Sequence, residues 1–130
     1  MPIKYSARAA EVLKIIKDFR KENGHSPSYA AIGKLMRISA PMVFRYIKEL
    51  RRAKEIDIVG KIIKIGDEIP YSERLLEVLK LIAKFPNATQ VELAHKLKIA
   101  PPSLHESLQR LIEFGAIDKD MKILDKKSVA

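Results

Sequence analysis

The sequence predicts a mainly α-helical chain with small β-hairpins, built as two tandem units that each run α-α-α-β-β and arise from an internal duplication. Three observations carry this. The chain repeats itself, apolar residues fall at helical spacing within each copy, and β-branched runs around a tight turn follow the third helix.

The repeat is plainest in the first helix. Tyr5 to Phe19 (YSARAAEVLKIIKDF) set beneath Tyr71 to Phe85 (YSERLLEVLKLIAKF) gives nine identities in fifteen positions at an offset of 66. Further on the offset is 61, pairing Ile32 with Leu93, Met36 with Leu97, Pro41 with Pro102, Leu50 with Leu111 and Asp57 with Asp118. The five-residue drop falls after the first helix, where copy one has RKENGHSPS and copy two only PNAT. Length change in a loop costs little, because closure entropy varies slowly with length. The copies therefore span 1–66 and 67–130.

In copy one, Val12, Leu13, Ile16 and Phe19 have helical spacing, with Ser6 as N-cap and Gly24 as a left-handed stop. Ser28 opens a short second helix whose core residues are Ala31, Ile32 and Met36. After a turn through Arg37 and Ile38, Ser39 caps a third helix with Pro41 in its first turn, where a missing N–H costs nothing. Val43, Ile47 and Leu50 form its apolar stripe. Ile56-Asp57-Ile58, then Val59-Gly60-Lys61, then Ile62 to Ile65 read as a hairpin. Copy two repeats the plan with helices near 72–85, 89–97 and 101–114 and a shorter hairpin around Lys119-Asp120. Three helices followed by a hairpin is the winged helix-turn-helix plan.

The run from Ile32 to Ser39 (IGKLMRIS) resembles the helix-turn-helix core of bacterial and archaeal winged-helix transcription regulators. Gly33 and Ala94 stand where that family keeps a small side chain for close helix contact. GHSPSYAAIG, from Gly24 to Gly33, is similar to the DNA-binding domain of LexA-type repressors, although nothing here resembles their self-cleaving protease domain. Arg37 and Lys98 replace the Gly usual at the turn. Either the turn takes another geometry, or it holds a non-Gly residue at positive φ at modest cost.

The resemblance implies duplex DNA as partner, and the charge distribution points to one copy. The 130-residue chain carries +9, with a pI near 9.8, which favours a polyanionic partner. Residues 1–66 hold nine Lys and six Arg against six acids, a net of +9. Residues 67–130 hold eight Lys and two Arg against ten acids, a net of zero. A charge serving only solubility has no reason to segregate so.

On the third helix of copy one, the side opposite the apolar stripe collects Pro41, Arg45, Lys48 and Arg52, flanked by Met42, Phe44 and Glu49. A recognition helix reads bases from this exposed side. Arg45 can pair with guanine, and Met42 or Ala40 can meet a thymine methyl. Lys48 and Arg52 suit phosphate, while Lys34 and Arg37 from the turn and Lys61 and Lys64 from the wing add backbone contacts. Phe44, beside Arg45, and Ser28 and Ser39, at the helix starts, complete the expected DNA interface.

The same face in copy two is Pro102, Glu106, Gln109 and Glu113, flanked by Ser103, His105 and Arg110. Its two carboxylates oppose docking on phosphate, so Ser103, His105, Gln109 and Arg110 form at most a secondary DNA contact. Its first helix is richer in apolar residues: Leu75 and Leu76 replace Ala9 and Ala10, and Ala83 replaces Lys17. Either this surplus is a partner surface, with a homodimer as its use, or larger side chains fill a differently shaped core.

No enzyme signature is present: no phosphate-binding Gly-rich loop, no Cys nucleophile and no paired metal ligands. The expectation is a non-enzyme without cofactor, metal or evident small-molecule ligand. Absent Cys gives no sign of secretion. Met1-Pro2-Ile3-Lys4 does not open a signal peptide, and no run approaches 18 apolar residues, so a cytoplasmic, nucleoid-associated location is expected rather than a membrane one. Abundant Lys and Ile with scarce Gly lean towards a thermophilic source. Three functions compete: a sequence-specific transcription regulator, a replication-initiation or plasmid- and chromosome-maintenance protein, and a tandem winged-helix protein-interaction adaptor. Segregated charge and the basic face favour the first two.

Overall fold

The structure, a computed structural model, describes residues 5–129; the reading of Met1-Pro2-Ile3-Lys4 therefore lies outside the described residues. The chain divides into two compact units between Ser72 and Glu73. That division lies six residues beyond the expected boundary after residue 66, and the segment between them is tied to the first unit. Arg20 of the first unit holds the following segment: its Nη2 donates to the Ile69 carbonyl at 2.6 Å and its Nε lies 2.8 Å from Glu68. The Ser26 amide donates to the Tyr71 carbonyl at 2.8 Å. With this boundary Asp67 and Glu68 pass to the first unit, leaving net charges of +7 and +2.

The first unit comprises α1 (Ala7–Asn23), α2 (Tyr29–Met36), α3 (Ala40–Arg52), β1 (Asp57–Val59) and β2 (Ile62–Lys64). Ser6 and Ser28 accept from the Ala9 and Ala31 amides as N-caps, and Gly24 ends α1 at φ 77°. The helices enclose one core of Ala9, Val12, Leu13, Ile16, Ile32, Val43, Ile47 and Leu50, extended by Ile56 and Ile63 from the hairpin. Met36 is only partly buried against it, and Ala31 is half-buried. Ser39 occupies the N-cap position of α3 but its side chain makes no capping bond, a departure from its expected role. Pro41 in the first turn removes one orphan N–H.

Each turn between the second and third helices takes the second of the two expected geometries. Arg37 and Lys98 both adopt φ 57°, and their amides close the preceding helix in the left-handed manner. Gly33 eases a close approach here: a Cβ would lie 3.2 Å from the Ile38 carbonyl oxygen, so a larger residue would make its neighbour give by a few tenths of an ångström. The hairpin turn is tighter than the sequence implied. Val59 pairs with Ile62, so only Gly60 and Lys61, both at positive φ, lie between the strands. That is the two-residue turn whose twist matches antiparallel strands.

The second unit comprises α4 (Glu73–Lys84), α5 (Gln90–Leu97), α6 (Pro101–Glu113) and a 3₁₀ turn at Lys127–Val129. Thr89 caps α5, accepting from the Glu92 amide, while Ala100 precedes α6 without a side-chain cap. The expected second hairpin is reduced further than anticipated. A single bridge, Ile117 to Ile123, stands in place of paired strands, and Asp118 Oδ1 accepts from the Asp120 and Lys122 amides. A self-satisfied Asp turn leaves little ladder to extend.

Candidate nucleic-acid interface

The α3 face forms because its buried stripe fixes its rotation. Val43, Ile47 and Leu50 point into the core, so Pro41, Arg45, Lys48 and Arg52 are exposed together, with Ala40 and Phe44 on the flank and Met42 half-buried. Lys34 and Arg37 are exposed at the end of α2 and in the turn; Lys61 is exposed at the wing tip, and Lys64 is half-buried on β2. Ser28 and Ser39 are exposed at the starts of α2 and α3.

The first unit's arginines sort into two sets. Arg8 pairs with Glu11, Arg20 with Glu68 and Arg51 with Asp57. Among the described residues Arg37, Arg45 and Arg52 form no ion pair, nor do Lys34, Lys48, Lys61 or Lys64. The unpaired arginines of the first unit are therefore those of the α2–α3 turn and the outer α3 face, whereas unpaired lysines also stand on α1, at Lys14, Lys17 and Lys21, and at Lys54. Glu49, which flanks this face, accepts from the Ser6 hydroxyl at 3.1 Å and ties α3 to the start of α1.

Sequence reasoning missed three features. Tyr29, the first residue of α2, meets Phe44 edge-on at 4.9 Å, with planes at 89°. Burial pushes the Tyr29 hydroxyl pKa up, against an opposing pull from Arg51. Ser26 is buried; its hydroxyl donates to the Ile63 carbonyl and fastens the wing strand to the α1–α2 loop. Arg51, Lys54 and Lys64 line a hollow at the root of the wing. The Arg51-Arg52 and Lys54 cluster was the available signal for that hollow; the other contacts leave none in the sequence.

In the second unit, Ser103, His105 and Gln109 are exposed on α6 and Arg110 is half-buried, while Glu106 and Glu113 are exposed. Several cations there are engaged elsewhere. Lys84 and Lys96 lie 5.6 and 4.1 Å from the Phe85 ring centroid, and Arg74 pairs with Glu77. The leucine-rich α4 is also accounted for. Leu75, Leu76, Val78, Leu79 and Ile82 are buried within the single chain and Leu81 is half-buried. Leu75 and Leu76 are thus core, the second of the two expected alternatives, while Ala83 is exposed.

Among the described residues no cluster of His, Cys, Asp or Glu has the makings of a metal site, and no helix is long and apolar enough to cross a membrane.

Residues 72–117 match the winged helix-turn-helix DNA-binding family, a span that covers α4, α5, α6 and the start of the reduced wing. That stretch is therefore similar to a winged helix-turn-helix of the DNA-binding kind. No curated protein matches the chain.

Proposed function

We propose that this chain is a cytoplasmic, nucleoid-associated transcription regulator whose first unit reads a specific site in duplex DNA. One observation carries the assignment to the first unit: its three unpaired arginines, Arg37, Arg45 and Arg52, lie in the α2–α3 turn and on the outer face of α3, beside a fully formed wing. The second unit supplies the family match, yet it presents Glu106 and Glu113 and a single wing bridge. In this reading it is an auxiliary or partner unit. The two units descend from a duplication; α2 and α5 are eight residues each and α3 and α6 thirteen each, which supports that descent.

Roles follow from chemistry. Arg45 takes the bidentate guanine contact, and Met42 and Ala40 face bases. Lys34, Arg37, Lys48, Arg52, Lys61 and Lys64 neutralise phosphates. The hydroxyls of Ser28 and Ser39 donate to phosphate oxygens; Ser28 does so while still accepting from Ala31. With α4 used inside the chain, the homodimer rests on operator geometry alone: two copies would meet two half-sites of a palindrome. Selection of bound sequences from random duplex DNA tests the reading. Recovery of a defined motif supports it, and recovery of none opposes it.

A further inference from the structure

Phe44 is a large apolar side chain left 57% exposed on α3, where burial gives no reason for an aromatic residue. Its surroundings are cationic. On the helix surface Lys48 lies one turn beyond it, Arg45 is its chain neighbour, and neither has a carboxylate partner. Unpaired cations around an apolar knob suit a polyanion with a recessed apolar group better than an apolar protein surface. The major groove of DNA offers one such group, the 5-methyl of thymine, and Phe is among the side chains that meet it. The ring is also held in advance. Tyr29, itself packed partly against the core, fixes it edge-on at 4.9 Å, so little rotamer freedom is lost on contact. The matching place in the second unit holds no benzene ring but the polar imidazole of His105.

Resting on the DNA-binding reading above, we propose that Phe44, braced by Tyr29, is a specificity-determining residue that reads the 5-methyl group of one thymine beside the base contacted by Arg45. The test uses the intact chain and the duplex recovered by selection, with each thymine replaced in turn by deoxyuridine, which removes only that methyl. One position should weaken binding about fourfold, the worth of one buried methylene-sized group. In Phe44→Ala the same replacement should change binding by less than about half that factor, with the methyl-insensitive positions unaltered.

Independently, 5-iododeoxyuridine at that position puts the halogen where the methyl stood. Irradiating its complex with the unmodified chain should attach the DNA to Phe44, so a misfolded variant cannot hide the answer. A methyl effect that persists in a folded Phe44→Ala, attachment at Met42 or elsewhere, or no sensitive thymine would each overturn the proposal while leaving duplex recognition intact. Failure to select any duplex would overturn both.

Discussion

Arg20→Met asks whether residues 67–71 belong to the first unit. Arg20 is 14% exposed at its side chain, and the substitution keeps most of its apolar stem while removing the charged head. The bond from Nη2 to the Ile69 carbonyl, 2.6 Å long, is charge-assisted and worth about 1.5–3 kcal/mol. The ion pair with Glu68 is more weakly placed, because Glu68 is 53% exposed, and solvent screening reduces it to about 0.2–1 kcal/mol. The guanidinium lies 5.6 Å from the Tyr71 ring centroid, near the outer limit for such contacts, and adds about 0.5 kcal/mol. One side chain makes all three, so they do not simply add, and a net local loss of about 2 kcal/mol is expected. That loss speeds local opening about thirtyfold. Hydrogen exchange on the full chain reads it directly at the amides of Glu68, Tyr71 and Ser26, which donate to Ile65, Ile69 and Tyr71. Exchange there should accelerate by that order while the α3 core amides hold. A change below about threefold would refute the strap, and the unit would then end near residue 66.

Arg45→Ala should relax base preference at one position, at a cost of about 1–3 kcal/mol on the preferred site, whereas Lys61→Ala should weaken all sequences alike. Quantitative binding to the selected site and its single-base variants separates the two, and a uniform loss for Arg45→Ala would make it a phosphate contact. Sedimentation of the chain at tens of micromolar should give a dimer, and a monomer would remove the palindromic arrangement. The raised Tyr29 pKa means the folded state holds that proton more tightly than the unfolded chain. The associated stability is full below the unfolded value of 10.0 and is lost as pH rises through the higher folded value. Alkaline unfolding should therefore begin at higher pH in Tyr29→Phe than in the native chain; identical profiles would place the phenol free in solvent.

Local signals carried most of the fold. Apolar spacing and the caps at Ser6, Gly24 and Ser28 locate helices because each acts within one or two turns. The features that escaped are non-local. The hold of Arg20 on Ile69 spans 49 residues, and that of Ser26 on Ile63 spans 37. No periodicity encodes either. Leu75 and Leu76 show another limit: a widened apolar face looks the same in sequence whether its partner is its own core or another chain. Their burial within one chain decides for the core. The exposed α3 face was legible because Val43, Ile47 and Leu50 fix the rotation of every other residue on that helix. The bracing of Phe44 by Tyr29 was not, since it depends on how α2 crosses α3.

Salt dependence tests the central claim that the first unit docks on duplex DNA through its unpaired cations. Six phosphate contacts from Lys34, Arg37, Lys48, Arg52, Lys61 and Lys64 give a log–log slope of about −5 for affinity against salt, within a range of about −4 to −7. Replacing Lys48 and Arg52 together by Ala should make the slope shallower by about 2. Replacing Lys96 and Lys98 of the second unit should leave it unchanged. A flat response in the native chain, or a slope that falls only on changing Lys96 and Lys98, would contradict the account.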